Sequence, residues 1–329
     1  MIRGTELTRR GLMAAGAGTA MASTARAQEK PWPDRPVRML VGFAAGGVAD
    51  VAARLLGEAL RPLAGQPFVI ENRPGASGVV AASVVARSAP DGHTLLVAPG
   101  TITILPTMMK NLPIDVLKDI DPITLFVTSP NVLIVNNAVP ANDLASFLAL
   151  VRSRPAEEMA YASSGIGTTV HFFASQVERA TGIAMRHIPY RSSNESITAV
   201  VAGDVPIGVS AVNSALPHIQ SGAVKAIAIG SPRRSSFLPD VPTFAEQGYP
   251  DFRSDTWIGL VGPAGMPPAL KERIAELSRR VMAEPSMVQR LAALGAEPVG
   301  LGPEAFRSLL EREVREFREL GAAIGIRPE

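Results

Sequence analysis

The sequence contains no cysteine, and this absence removes several classes of function at once. Disulfide bonds, thiolate metal sites and cysteine nucleophiles all need the missing side chain. Stability must therefore come from burial of an apolar core. Single cores stop growing at roughly 250 to 300 residues, so a chain of 329 residues is expected to form two lobes.

The net positive charge of the chain comes from its first 27 residues. In that segment Arg3, Arg9, Arg10 and Arg26 against Glu6 contribute +3 to a formal net charge of +2, which leaves −1 for the rest of the chain. The remainder also lacks a block of lysines or arginines. Nucleic-acid binding needs many cationic contacts with phosphates, so nucleic acid is not an expected partner.

Familiar catalytic and cofactor motifs are missing too. The four histidines are His93, His171, His187 and His218. Their spacing matches no zinc motif, and neither a Gly-x-Ser-x-Gly elbow nor a Gly-x-x-x-x-Gly-Lys phosphate loop occurs. We therefore expect no enzymatic activity, no metal and no cofactor. The alternative left open is an exported hydrolase in which Ser77 or Ser164 pairs with His171.

The first 27 residues have the order of an export signal. A charged stretch leads to an apolar run over residues 11–22, which is shorter than the ~20 residues of a membrane-spanning helix. The triplet Ala25-Arg26-Ala27 predicts cleavage after Ala27 and a periplasmic protein that begins at Gln28. Thr8-Arg9-Arg10 resembles the start of a twin-arginine signal, while an ordinary secretory leader stays possible.

From residue 37 onward, short apolar strands alternate with glycine turns and helices, which is typical of an α/β fold with parallel strands. Strands are predicted at 37–43, 68–70, 94–98, 131–135, 159–162, 185–188, 205–209, 224–229 and 255–261, and the last 70 or so residues are predicted to be helices without a strand. Two crossings then divide the chain into lobe 1, residues 36–130 plus 256–329, and lobe 2, residues 131–255. This arrangement is a hinged clamshell with its ligand at the carboxyl ends of the strands.

Three glycine-rich turns precede helices, at residues 45–50, 75–78 and 163–169. Each would direct backbone N–H groups and the positive end of a helix dipole toward one place, which favours an anion. The hydroxyl residues in these turns add donors. A structural explanation is also open, because glycine permits positive φ and Ser or Thr caps helices. In that case Asp50 compensates a dipole, His171 supports its loop and Tyr190 is a half-buried ring.

The whole chain after the leader resembles the substrate-binding proteins of tripartite tricarboxylate transporters, also called Bug-type receptors. The ordered motifs that carry this resemblance are Val41-Gly42-Phe43-Ala44-Ala45-Gly46-Gly47-Val48-Ala49-Asp50, Glu71-Asn72-Arg73-Pro74-Gly75, Pro90-Asp91-Gly92-His93, Tyr161-Ala162-Ser163-Ser164-Gly165, His187-Ile188-Pro189-Tyr190, Val241-Pro242-Thr243 and Trp257-Ile258-Gly259-Leu260. Family members usually carry a glycine at the position of Ser77. Pro206 and the segment 192–195 also depart from the family pattern, and Asn194 or Glu195 either faces the cleft or is solvated.

The resemblance implies a type II periplasmic binding protein fold, an organic carboxylate ligand and membrane permease subunits as partners of a monomeric receptor. A sensory receptor with a signalling partner is the alternative within this class. Carried over position by position, the ligand-binding residues are expected to be Phe43, Gly46, Gly47, Asp50, Ala76, Ser77, Thr101, Ser163, Ser164, Gly167, Thr168, Thr169, His171 and Tyr190. Backbone N–H groups and water would bind the carboxylate without an arginine clamp.

Overall fold

Ten strands and ten helices form the part of the chain that the structure, a computed structural model, describes: residue 1 and residues 32–328. The predicted export signal, with its twin arginines and its cleavage site after Ala27, lies outside the described residues. No helix among those described combines the length and apolar character needed to cross a membrane.

The strands are β1 (Val37–Val41), β2 (Phe68–Asn72), β3 (Thr94–Pro99), β4 (Ile120–Asn136), β5 (Ala160–Ser163), β6 (Arg186–Pro189), β7 (Ile207–Ala211), β8 (Val224–Ile229), β9 (Asp255–Pro263) and β10 (Glu297–Leu301). The helices are α1 (Val48–Ala64), α2 (Val79–Ala86), α3 (Thr101–Met108), α4 (Leu144–Arg152), α5 (Thr169–Thr181), α6 (Ser193–Ala202), α7 (Val212–Gln220), α8 (Pro268–Met282), α9 (Pro285–Ala292) and α10 (Pro303–Ala323). A short 3-10 turn at Ala76–Gly78 precedes α2.

The strands join in the order β2-β1-β3-β9-β4-β7-β5-β6, with β8 and β10 also paired to β4. The protein is two-lobed, and the long strand β4 belongs to both halves of this sheet. Its first part pairs with β9 and β10, and its partners change to β7 and β8 after Pro130. That change supports the predicted lobe boundaries at 130/131 and 255/256, which stay a prediction.

The prediction of parallel strands is correct for the outer part of each half and wrong for the middle. Strands β1, β2 and β3 run parallel, as do β5, β6 and β7. In contrast β4, β8, β9 and β10 pair antiparallel. The long strand β4 leaves one half for the other and β9 returns beside it, so the two run in opposite directions.

Helices cover both faces of each half of the sheet. In the first half, one core lies among α1, α8 and α9, and a second lies among α2, α3 and α10. In the second half, α4 and α5 cover one face and α6 and α7 the other. The C-terminal helices therefore pack on the first half of the sheet, and they bring a strand, β10, that the sequence analysis missed. Helices α3 and α7 were missed as well.

The turns after β1 and β2 approach each other at two glycines. A Cβ atom on Gly42 would lie 2.5 Å from the Cα of Gly78 and 3.1 Å from its carbonyl oxygen. Gly78 itself has φ of 95°, in the left-handed region that favours glycine. These two turns can therefore lie side by side only while position 42 has no side chain.

The first prediction concerns this contact. Gly42→Ala should lower the free energy of unfolding by about 1–3 kcal/mol, because the added methyl group meets backbone atoms rather than a flexible side chain. Gly302→Ala is the control for the added methyl group, since its φ is −75° and no atom lies within 4 Å of the added Cβ; as the N-cap of α10 it should lose only about 0.5–1 kcal/mol. Urea unfolding of both variants measures the difference, and equal destabilisation would contradict the assignment.

Candidate ligand site

The turns after β1, β2 and β3, here called the N-terminal turns, open at one edge of the sheet. These strands are adjacent and parallel, so their carboxyl ends meet there. Phe43, Ser77 and Thr101, one residue from each turn, line the same small depression. The structure therefore brings together three of the predicted ligand residues from separate parts of the sequence.

The helices that follow these turns begin without a side-chain cap. The N-cap residues of α1, α2 and α3 are Gly47, Gly78 and Gly100, and no side chain accepts a hydrogen bond at any of the three. The first-turn N–H groups of a helix have no partner within the helix, and together with the dipole they favour an anion. Gly46 and Gly47 are exposed.

The turn before α2 has an unusual backbone. Gly75, Ala76, Ser77 and Gly78 all have positive φ, at 148°, 45°, 54° and 95°. For Ala76 and Ser77 the left-handed conformation costs roughly 1–2 kcal/mol each. Such strain persists where the surrounding structure holds it, commonly at a binding site. The positive φ of Ser77 also explains why glycine suits this position.

Asp50 uses its carboxylate within the protein. One oxygen accepts from the Gly46 N–H (2.9 Å) and from Arg54 Nε (3.0 Å), and the other accepts from Arg54 (2.9 Å) and from Asn72 Nδ2 (2.9 Å). The bonds from Arg54 are the main cause that lowers the pKa of Asp50, to about 2. Asp50 thus fixes the turn that carries Gly46 and occupies the Gly46 N–H, so the oriented donors of this turn are the N–H groups at the uncapped start of α1.

A second group of predicted residues forms the Ser163 loop, residues 163–168, between β5 and α5. Thr168 caps α5, because its Oγ1 accepts from the His171 N–H (3.3 Å) and donates to the Gly165 carbonyl (2.8 Å). Gly167 has φ of 74°, and a Cβ atom there would meet the side chain of Met108 at the end of α3. The Ser163 loop therefore contacts the helix that begins at Thr101.

A buried histidine, His171, and a half-buried one, His187, support this loop. The ring of His171 stacks on that of His187, with ring centres 4.2 Å apart, and Tyr161 stacks on the other face of His187 at 4.8 Å. His171 Nδ1 accepts from the Gly167 N–H (3.2 Å), and His187 Nε2 lies 2.6 Å from Ser163 Oγ. Burial lowers the pKa of both histidines to about 4, so both rings are neutral at pH 7.

The remaining predicted residues flank this loop. Ser164 is partly exposed and belongs to the loop itself, whereas Thr169 Oγ1 lies 3.2 Å from Thr256 Oγ1 on β9. Tyr190 is half-buried, and its N–H donates to the Ser163 carbonyl (2.9 Å). Glu195 accepts from the Arg191 N–H (3.2 Å). It is thereby held at the start of α6.

The geometry does not assemble the hydrolase that the sequence left open. His171 already accepts from Gly167 through Nδ1 and stacks on His187. Among residues 32–328, the serine hydroxyl that bonds to a histidine ring is that of Ser163, which is fully buried and lies beside His187. A nucleophile needs access to its substrate, so this pair serves the loop. No group of three or more potential metal ligands occurs among residues 32–328.

Sequence reasoning missed several residues that hold these turns. Asn72 donates to Asp50 and, at 3.1 Å, to the Phe43 carbonyl. Arg54 and His187 were not assigned a role either. A signal existed for Arg54, because it follows Asp50 by four residues on one helix. Asn72 ends a strand beside β1, and that pairing is not visible in the sequence.

The second prediction tests the role of Asp50. Asp50→Asn should lower the free energy of unfolding at pH 7 by about 2 kcal/mol, as a pKa shift of this size implies. Because the pKa of Asp50 is lower in the folded protein, its ionised carboxylate stabilises the fold at pH values above the unfolded pKa, near 4. This contribution is lost as the pH falls toward 2, so Asp50→Asn should lose less stability than the parent over that range. Glu58→Gln, an exposed ion-pair partner on the same helix, should change little. Denaturant unfolding at pH 7, 4 and 2.5 measures these differences. If both variants matched the parent, the proposed role of Asp50 in fixing the turn would be contradicted.

The third prediction concerns His171. A lowered histidine pKa stabilises the fold above the unfolded value near 6.5 and loses that contribution as the pH falls toward 4. Protonation of His171 and His187 should therefore lower the unfolding free energy between pH 7 and pH 4.5, whereas Glu313 and Asp255, whose pKa values are raised, act in the opposite direction over this range. His171→Phe and His171→Asn each remove one of the two titrating rings, so the change in unfolding free energy from pH 7 to pH 4.5 should be more favourable in either variant than in the parent. Of these two replacements, only Asn keeps an acceptor for the N–H of Gly167. Unchanged slopes in both variants would overturn the prediction.

These features agree with the comparisons with known proteins. Residues 52–326 match the family described as "Tripartite tricarboxylate transporter family receptor". The protein BugT of Bordetella pertussis is 33% identical over 299 residues, which cover 89% of this chain and 91% of BugT.

Solved structures give the same result. MatC from Rhodopseudomonas palustris, with bound malate, has 30% identity and a TM-score of 0.67 over 88% of this chain and 99% of its own. A second R. palustris protein, solved with adipate, has 28% identity and a TM-score of 0.71 over 91% of this chain and 100% of its own. The match to the family model covers well over half of the sequence, and the chain belongs to the tripartite tricarboxylate transporter receptor family.

Proposed function

We propose that this protein is a periplasmic receptor, not an enzyme, that binds a small organic carboxylate between its lobes and delivers it to membrane permease subunits. The observation that carries the proposal is the set of glycine-capped helices at one sheet edge, where N–H donors have no side-chain cap. Two relatives add support, because their structures hold malate and adipate. The predicted export signal supports the location.

The proposed site combines the N-terminal turns with the Ser163 loop. A carboxylate would accept hydrogen bonds from backbone N–H groups at the start of α1 and α2 and from hydroxyl groups such as Ser77 and Ser164, whereas the Thr168 hydroxyl already donates to the Gly165 carbonyl. Asp50, His171 and His187 would act indirectly, since their polar atoms bind the turns. This revises the expectation that Asp50 and His171 contact the ligand.

Closure of the lobes would complete the site. Met108 already meets Gly167 across from the N-terminal turns, so the start of α5 and the end of α3 are close. A ligand that touches both groups favours the closed form by its differential affinity for that form. The permease would then receive only the loaded, closed receptor.

The fourth prediction removes a backbone donor without breaking a helix. Val48 is the exposed first residue of α1, and proline is tolerated there because its fixed φ suits the helix. The chain itself places Pro268, Pro285 and Pro303 at the first positions of α8, α9 and α10. Val48→Pro should weaken carboxylate binding about tenfold, whereas Val48→Ala, which keeps the N–H, should bind normally.

Calorimetric titration of the mature protein with malate, adipate and their neutral diamides tests both the proposed class of ligand and the proposed position of its site. Binding of an acid but not of its diamide supports a carboxylate receptor. If none of these acids and no other organic acid in a thermal-shift screen stabilises the protein, the proposed function fails. If an acid binds and both Val48 variants bind it equally, the receptor stands but the site at the start of α1 is wrong.

A further inference from the structure

Consecutive residues of the returning strand β9 contact the helices on both sides of the proposed site. Thr256 Oγ1 lies 3.2 Å from the hydroxyl of Thr169, the first residue of α5. The next residue, Trp257, packs under the turn before α3, where a Cβ atom on Gly100 would lie 3.1 Å from the indole Nε1. One stretch of strand thus supports both Thr169 and the turn before Thr101.

Thr256 is also hydrogen-bonded to the strands β4 and β9 where they cross from one half of the sheet to the other. Thr256 Oγ1 donates to Asn131 Oδ1 at 3.2 Å, and Asn131 Nδ2 donates to Ser254 Oγ at 3.1 Å. Asn131 is fully buried and lies at the point where β4 changes partners. The two crossing strands are therefore hydrogen-bonded to each other and, through Thr256, to the start of α5.

The indole N–H of Trp257 is hydrogen-bonded to a carboxylate of α10. Trp257 Nε1 donates to both oxygens of Glu313, at 2.9 and 3.1 Å. Thr103 Oγ1 lies 2.8 Å from a Glu313 oxygen and 2.7 Å from the Gly100 carbonyl. Glu313 therefore holds the indole ring and the first turn of α3 in one arrangement.

Several charged groups surround Glu313. Burial raises its pKa to about 7 against the opposing hydrogen bonds from Thr103 and Trp257, Arg312 lowers it and Asp255 raises it further. Burial also raises the pKa of Asp255, on which Glu297, Arg253 and Arg312 act as well. Arg253, Arg312 and Glu316 line the cavity that Glu313 and Asp255 share.

We propose that Glu313 is a positioning residue for the ligand: through Trp257 and Thr103 it fixes the amino end of α3 against β9, while Thr256 fixes the amino end of α5. This inference rests on the proposed function, because the ends of these two helices form part of the proposed carboxylate site. Ionised Glu313 accepts from both donors more strongly than the neutral acid. Ligand affinity should therefore fall as Glu313 is protonated.

A measurement on the free protein tests the contact without a ligand. The chain has two tryptophans, Trp32 and Trp257, so a Trp32→Phe background isolates Trp257 fluorescence. Its emission should show a transition near pH 7 that Glu313→Gln abolishes and Glu311→Gln, an exposed control on the same helix, retains. In Asp255→Asn the transition in emission should persist but occur at a lower pH than in the parent, because the Asp255 charge helps to raise the pKa of Glu313. A transition that survives in Glu313→Gln and disappears in Asp255→Asn would overturn the assignment.

The fifth prediction is the effect on binding. Between pH 8 and pH 6, affinity for malate or adipate should fall about threefold to tenfold in the parent and in Glu311→Gln. Glu313→Gln should bind weakly at both pH values with a flat profile. If Glu313→Gln does not fold, Thr103→Val and Trp257→Phe remove one donor each and should weaken binding.

The outcomes separate the two proposals. An acid that binds the parent with the same pH profile in Glu313→Gln, or with full affinity in Thr103→Val and Trp257→Phe, overturns the positioning role and leaves the receptor intact. A fluorescence transition that depends on Glu313 in a protein that binds no organic acid keeps the Trp257 contact, but it overturns both the receptor and the positioning of its ligand.

Discussion

Strands β4 and β9 cross side by side between the two halves of the sheet, and the location of both proposed ligand groups depends on this pair. Trp257 faces Thr128 in the ladder, and Thr256 faces Ser129. From these positions one residue reaches the turn before α3 and its neighbour reaches the start of α5. Because interiors are close-packed and deform little, movement at the crossing must displace both helix ends. Closure of the lobes at this crossing would therefore also change the geometry of the proposed site.

The polar side chains near the proposed site mostly bind the protein itself. Asp50 accepts four hydrogen bonds from its surroundings, and His171 and His187 each contact the Ser163 loop. What stays available at the turns is backbone N–H and small hydroxyl groups. In the proposed site such donors would recognise a carboxylate as a group but would carry little information about the rest of the molecule, so the side chains around the turns would have to select the ligand.

Much of the secondary structure was predictable because strand and helix periods are local. Helix α3 was missed since its sequence, with four β-branched residues in succession from Thr101 and with Pro106 inside, has low helix propensity; packing of Ile102 and Leu105 into the core stabilises it. The turns that form the candidate site were also visible, as glycines before helices. The roles of Asp50 and His171 were not, because they depend on Asn72, His187 and Gly167, partners set by strand pairing and helix packing.

Stability alone does not account for a buried carboxylate at Glu313. Its folded pKa is raised, so above the unfolded value, near 4, ionisation is harder in the folded protein and reduces the free energy of unfolding at neutral pH. An apolar residue would avoid that cost, and replacing buried charges with apolar groups is often stabilising. The indole N–H of Trp257 and the hydroxyl of Thr103 would then lose their shared acceptor. A group that costs folding free energy yet orients two donors at the end of α3 is better explained by geometry that the ligand requires.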